Sequence, residues 1–198
     1  SSESPHSVFR PVVQIGFPVS VTSTSAIGVA QKSTDVFSEK DGNIGFSQSL
    51  EMMVAAARAL PHVDFVINGT GSARADLERS AVGLANVVFG DFQPSERLAE
   101  VLATGDVHVV PLRRGLGRVS VPSKTYSIMA AGRPIVAAVD AGTEVTRLVG
   151  GAGCGIIVGP DDAEAFISAI DHLIADPDGR FEMGRRARSF VETHASPR

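Results

Sequence analysis

The sequence predicts an α/β protein built on a doubly wound parallel sheet, and three observations support this fold class. From Asn43 onward, short apolar segments alternate with longer segments whose apolar residues recur at helical spacing. Most of the turns between them are short and are marked by glycine or proline. The 198 residues, 43% of them hydrophobic, are enough for one substantial core. Strand–helix units of this length favour a parallel sheet with helices on both faces.

The first helix is predicted over residues 47–60, where apolar residues recur every 3.6 positions until Pro61. Asp161, with Glu164 three residues later, is typical of a capping box for a later helix over 163–175. The predicted inner face of the first helix contains Leu50, Met53, Val54, Ala57 and Leu60. Further helices are expected over 73–82, 94–103, 122–131, 143–149 and from 178 to about 193.

Short apolar segments predict strands over 63–67, 87–89, 107–110, 134–139 and 155–158. Residues 11–17 are also compatible with a strand, but residues 19–25 and 34–41 show no sustained period. We therefore expect residues 1–41 to be an arm, a linker or an altered sequence, and residues 42–198 to be the domain.

Composition excludes several classes of protein. The formal net charge is −4 without a basic stripe, which argues against a nucleic-acid partner. No apolar run approaches the roughly 18 residues of a membrane span, and the first residues do not resemble a signal peptide. Cys154 stands alone, so an internal disulfide and a cysteine-based metal site are excluded. The expected location is the cytoplasm, with peripheral association at the inner face of the membrane left open.

Two segments could bind an anion. Gly42, Asn43 and Gly45 precede the first helix, where free N–H groups and the helix dipole favour negative charge. Arg118, Ser123 and Lys124 surround the start of the helix after Pro122, a combination suited to a departing diphosphate. Each segment alone could equally be a turn or a solvated basic loop. In a doubly wound sheet, however, both would lie along one edge and could share a ligand.

Several ordered motifs resemble the C-terminal half of family 4 retaining GT-B glycosyltransferases. They are Gly-Asn-Ile-Gly-Phe-Ser-Gln at 42–48, Asn-Gly-Thr-Gly at 68–71 and Phe-Gly-Asp-Phe-Gln-Pro at 89–94. A longer motif follows at 121–134 and another at 153–158. The similarity covers about three quarters of the chain and is greatest to the bacterial enzymes of polysaccharide and O-antigen synthesis, the colanic-acid type included.

The resemblance implies a Rossmann-like domain that binds a nucleotide-diphosphate sugar, commonly a UDP-sugar, as substrate, with no cofactor and no metal. Gly45 would contact the diphosphate or sugar through its backbone, and Arg118 and Lys124 would hold the phosphates. Glu144 matches a position at the sugar or at a helix start. The base pocket would be lined by Phe92 and Pro94, beside the turn that begins at Asn68 and Gly69.

The chain departs from the family pattern in places. Val119 and Ser127 occupy the positions of two glutamates, the second of which binds the ribose in many members. Asn43 and Ser47 replace a basic pair, which leaves Arg118 and Lys124 to supply charge. The resemblance also implies an N-terminal acceptor domain that this chain lacks, so we expect a fragment. Two alternatives are a related UDP-sugar 2-epimerase and a nucleotide-binding module without turnover.

Overall fold

A computed structural model describes residues 10–15, 49–69, 73–90, 95–115 and 123–194. Within these ranges, six strands form a single sheet in which every neighbouring pair is parallel. The strands are β1 (Val12–Ile15), β2 (Asp64–Asn68), β3 (Val87–Gly90), β4 (Val107–Pro111), β5 (Ile135–Ala138) and β6 (Gly155–Val158).

The strand order is β3-β2-β1-β4-β5-β6, the order of a Rossmann-like doubly wound sheet. Gln14 in β1 lies opposite Val66 on one side and opposite His108 on the other. The direction of winding therefore reverses between β1 and β4. Ligands of such sheets bind in the crevice beyond the carboxyl ends of the strands at this reversal. The predicted fold class is confirmed.

Helices cover both faces of the sheet. Those that contribute to the first buried cluster are α1 (Glu51–Ala59), α2 (Arg74–Ser80) and α6 (Ala163–Ala175). Those that contribute to the second are α3 (Leu98–Thr104), α4 (Ser123–Ala130), α5 (Glu144–Ala152) and α7 (Pro177–His194).

The two clusters arise because successive residues of a strand point to opposite faces. In β5, Val136 and Ala138 belong to the first cluster, whereas Ile135 and Ala137 belong to the second. All four side chains are fully buried. A strand that is covered on both faces has a continuous run of apolar residues, and such a run predicted β5 from the sequence.

The N-terminal boundary of the domain requires a correction. The strand Val12–Ile15 lies inside the sheet between β2 and β4, and Val13 is fully buried. These residues therefore belong to the domain and not to an arm or linker ending at residue 41. A strand of four residues is too short to show a clear period, and the segment after it has no pattern. The sequence therefore places the start of the domain too far along the chain.

Several helix starts and one cap also differ from expectation. α3 begins at Leu98, after a 3-10 turn over Ser95–Arg97, instead of at residue 94. The described part of the first helix begins at Glu51 instead of residue 47, although its predicted inner face is buried as expected. Asp162, not Asp161, caps α6, since its side chain accepts a hydrogen bond from the Ala165 amide at 3.0 Å. The capping box predicted for Asp161 and Glu164 is therefore wrong by one position.

Within the described residues, no helix has both the length and the apolar character needed to cross a lipid bilayer.

Candidate functional site

The carboxyl ends of the strands meet at one edge of the sheet, and several predicted site residues lie there. Asn68 is the last residue of β2 and Gly69 follows it, while Glu144 begins α5 after the turn that leaves β5. Ser123 and Lys124 begin α4, and Ser127 lies one turn further along it. The remaining predicted site residues fall outside the described ranges: Gly42, Asn43, Gly45, Phe92, Pro94 and Arg118.

Glu144 at the start of α5 is close enough to the first turn of α4 to act on Tyr126. Burial and the nearby negative charge of Glu144 both raise the pKa of the Tyr126 hydroxyl. Lys124 is half-buried two residues before Tyr126. The N-terminus of a helix carries a positive partial charge from its free N–H groups. Lys124 adds a formal positive charge at the same helix start, so this part of the edge favours an anion.

The turns after β2 and β3 are linked by Arg74. Its Nη1 donates hydrogen bonds to the carbonyl oxygens of Gly69 at 2.6 Å and Gly90 at 3.0 Å. Its guanidinium also lies 5.9 Å from the centre of the Phe89 ring. One cation therefore fixes the spacing of the two turns that the sequence assigns to a base pocket.

Asn68 is buried beside this pair of turns. A Cβ on Gly90 would lie 2.1 Å from Asn68 Oδ1, so Gly90 provides the space for the amide. The Asn68 Nδ2 atom has no hydrogen-bond partner among the described residues. A buried donor of this kind requires a partner, either from the neighbouring turns or from a ligand.

The loop that leaves β4 is held at three successive residues. Arg113 Nη2 donates to Glu51 Oε1 in the first turn of α1 at 2.7 Å. The Arg114 amide lies 3.4 Å from Asp161 Oδ2, and the Gly115 amide donates to Asp140 Oδ2 at 2.6 Å. The loop therefore contacts α1 and the turns after β5 and β6.

Sequence reasoning misses the acidic residues that make these contacts. The sequence pattern assigns Asp161 to the helix cap, and nothing in it singles out Glu51 or Asp140. The one usable signal is the pair Asp161-Asp162 directly after a strand. Only one of two adjacent residues can occupy the cap, so the other carboxylate has to bind elsewhere.

Two further reactive residue types lie in the core and not at this edge. Burial lowers the pKa of His108 to about 4, and burial raises the pKa of the Cys154 thiol to about 11. Both side chains are therefore neutral near pH 7, and both are buried in the core. Among the described residues, no three His, Cys, Asp or Glu side chains are grouped so as to hold a metal ion.

Comparison with known proteins agrees with the predicted family. Residues 36–176 match the family described as glycosyl transferases group 1. The putative colanic acid biosynthesis glycosyl transferase WcaI of Escherichia coli (strain K12) is 35% identical over 141 residues. That alignment covers 69% of this chain and 35% of WcaI. The chain spans little more than a third of the length of the curated relatives it matches.

Solved structures share the fold. Anabaena Alr3699/HepE, crystallised in complex with UDP-glucose, superposes with a TM-score of 0.68 at 16% identity, covering 95% of this chain and 45% of HepE. The catalytic domain of the Helicobacter pylori cholesterol-alpha-glucosyltransferase gives a TM-score of 0.69 at 13% identity. That superposition covers 93% of this chain and 99% of the other. These structures have the GT-B architecture that the sequence motifs predicted. With most of its residues matched by the family model, this chain belongs to the glycosyl transferases group 1 family.

Proposed function

We propose that this domain binds a nucleotide-diphosphate sugar, with UDP as the nucleotide, for transfer of the sugar to a polysaccharide or lipid-linked acceptor. The observation that carries the proposal is the position of Lys124 at the start of α4, at the carboxyl edge of the sheet. This is the edge at which doubly wound sheets bind their ligands. The free N–H groups of a helix start and a lysine together favour an anion.

The diphosphate would lie at the starts of α1 and α4. Gly42, Asn43 and Gly45 precede α1 in the chain, and Ser123 and Lys124 begin α4. Glycine allows the chain to approach a phosphate closely, and helix-start amides and a lysine bind its oxygens. Arg118, in the segment between β4 and α4, would add a second cation.

The nucleoside would lie toward β2 and β3. The turn after β2 begins with Asn68 and Gly69, and Phe92 and Pro94 follow β3 in the chain. Arg74 fixes the spacing of these two turns through the carbonyl oxygens of Gly69 and Gly90. Ser127, on α4, occupies the ribose-side position of the family pattern, and Glu144 would contact the sugar.

The chemistry would require little acid–base catalysis from this domain. When the bond between the sugar and the diphosphate breaks, negative charge develops on the departing diphosphate oxygens. Lys124, Arg118 and the helix-start amides would stabilise that charge, and such stabilisation is often the main source of rate enhancement in group transfer. The acceptor would be positioned by a further domain, and peripheral attachment to the inner face of the membrane would bring lipid-linked acceptors within reach.

Calorimetric titration of the chain with UDP, UDP-glucose and GDP tests the proposal. We expect UDP compounds to bind in preference to GDP, and Lys124→Ala to weaken UDP binding about tenfold or more, because a charged hydrogen bond to phosphate is lost. Arg118→Ala should act in the same direction.

Arg79→Ala is the matched control. Arg79 is an exposed cation in the last turn of α2, away from the carboxyl edge, where it pairs with Asp76. Its replacement should leave UDP affinity unchanged. Equal UDP affinity in the wild type, Lys124→Ala and Arg118→Ala would reject the diphosphate assignment, and absence of UDP binding in the wild type would reject the proposed nucleotide.

A further inference from the structure

We infer that Asp161 is a positioning residue for donor binding, which joins Ser49, before α1, to Arg114, in the loop after β4. This inference rests on the proposed function, and it assigns Asp161 no direct contact with the ligand.

The contacts of Asp161 connect three separate loops. Asp161 follows β6, and its Oδ1 accepts a hydrogen bond from Ser49 Oγ at 2.5 Å. Its Oδ2 lies 3.4 Å from the amide nitrogen of Arg114, while Arg114 Nη2 lies 3.4 Å from the Pro160 carbonyl oxygen. The turn after β6 therefore contacts both the segment before α1 and the loop after β4.

The partners of Asp161 lie next to the two segments that the proposed function assigns to the diphosphate. Ser49 is buried and directly follows the glycine-containing segment 42–48. Arg114 lies two residues before the segment 116–122, which leads to Lys124 at the start of α4. One carboxylate thus contacts a residue next to each of the two segments to which the proposed function assigns the phosphates.

Helix formation does not explain why Asp161 is present. Asp162 caps α6, whereas Asp161 has a left-handed backbone conformation with φ of +61°. A residue with a Cβ adopts this conformation at a cost, although aspartate tolerates it better than most. Glycine would adopt it freely, so the aspartate side chain contributes something that the turn itself does not need.

The charge on Asp161 suits this role. The hydroxyl of Ser49 lowers the pKa of the carboxyl, and the amide and guanidinium of Arg114 lower it further. Asp161 is therefore ionised at neutral pH and accepts hydrogen bonds from both loops. Asp140, which binds the Gly115 amide, restrains the next residue of the same loop. A loop ordered before binding loses less conformational freedom when the ligand binds.

The experiment compares Asp161→Gly with Asp161→Asn and with Asp162→Ala in the full chain. Asp161→Gly removes both contacts and relieves the backbone strain, so the protein should remain folded and its Tm should not fall. Its UDP affinity should decrease about five- to tenfold, while its affinity for uridine should stay the same because uridine lacks the diphosphate. Asp161→Asn keeps an acceptor and should recover part of the loss.

Asp162→Ala is the control for the neighbouring carboxylate. It removes the cap of α6 and should lower Tm, but it should leave the ratio of UDP to uridine affinity unchanged. A normal UDP affinity in Asp161→Gly would overturn the inference. A parallel loss of uridine and UDP affinity would also overturn it, since the whole site would then be affected.

Amide hydrogen exchange separates this inference from the proposed function. Asp161→Gly should increase exchange in segments 49–50 and 112–115 of the unliganded protein, whereas Asp162→Ala should not. If the wild type bound no UDP, the proposed function would fail, and so would the role of Asp161 in donor binding. If the wild type bound UDP but exchange in both segments were unchanged, only the inference about Asp161 would fail.

Discussion

The helix ends at the amino edge of the sheet and the loop after β4 at its carboxyl edge satisfy their backbone groups in opposite ways. At the amino edge, the carbonyl oxygens at the ends of helices are bound by side-chain donors. Asn86 Nδ2 lies within 3.2 Å of the carbonyl oxygens of Ala57, Leu60 and Val63. Arg133 donates to the Ala103 carbonyl oxygen at 2.6 Å. At the carboxyl edge, the loop amides of Arg114 and Gly115 are instead bound by the carboxylates of Asp161 and Asp140.

The need for donors at the amino edge follows from the direction of the helices that follow parallel strands. Such a helix begins at the carboxyl edge with free N–H groups and ends at the amino edge with free carbonyl groups. At the amino edge, the chain supplies its own donors, and the contacts described above contribute to stability. At the carboxyl edge, the carboxylates of Asp161 and Asp140 lie against loop amides, and helix starts favour negative groups.

The largest expected effect is on stability and concerns Asn86 at the amino edge. Asn86→Ala removes the side-chain amide from three carbonyl groups and should lower the free energy of unfolding by about 3 kcal/mol, because buried acceptors lose their donor. Chemical denaturation measures the loss. UDP affinity of the folded protein should remain at the wild-type value.

Ser80→Ala provides the comparison for this measurement. The Ser80 hydroxyl donates to the Asp76 carbonyl oxygen at an exposed position, so its removal should cost no more than about 0.5 kcal/mol. A similar small loss in Asn86→Ala would show that the carbonyl groups at this edge do not depend on protein donors.

The pH dependence of folding stability tests the same edge through His108. Its Nε2 lies 2.9 Å from the Leu102 carbonyl oxygen, and burial lowers its pKa from 6.5 to about 4. Between these values the unfolded chain binds a proton that the folded chain does not, so stability falls as pH decreases from 6.5 to 4. The complete loss of stability is about 3 kcal/mol and is reached once His108 is protonated in the folded protein as well, below about pH 4. Between pH 6.5 and pH 4 only part of this loss has occurred.

The measurement is the difference between the stability–pH profiles of the wild type and His108→Gln. Glutamine can still donate to the Leu102 carbonyl oxygen but does not titrate in this range. The two profiles should be parallel above pH 6.5, and only the wild type should show the additional loss below it. Parallel profiles down to pH 4 would contradict the lowered pKa.

The fold was predictable from sequence because local pattern and tertiary structure agree in most elements. The inner face of α1 follows from its helical period, and the burial of β5 follows from its continuous run of apolar residues. β1 is the exception, since its central position depends on contacts with β2 and β4 that lie far along the chain. Four residues do not carry that information on their own.

The candidate site was predictable only in part. Residues next to a strand end or helix start, such as Asn68 and Lys124, could be placed at the carboxyl edge from the element pattern. The carboxylate of Asp161 could not, because its partner Ser49 lies 112 positions earlier in the chain. Side-chain contacts between distant loops depend on the completed fold.

Thr143 gives the smallest effect and tests whether every polar residue at the carboxyl edge affects the ligand. The Thr143 side chain accepts a hydrogen bond from the Thr146 amide at 3.3 Å and so caps α5 beside Glu144. Thr143→Ala should lower the free energy of unfolding by about 1 kcal/mol, and Thr143→Ser should lower it less. Because this cap serves α5 alone, UDP affinity should not change in either variant. A clear decrease in UDP affinity would show that the cap of α5 also arranges the ligand site. Contacts that stabilise the fold and contacts that arrange the site would then have to be distinguished residue by residue.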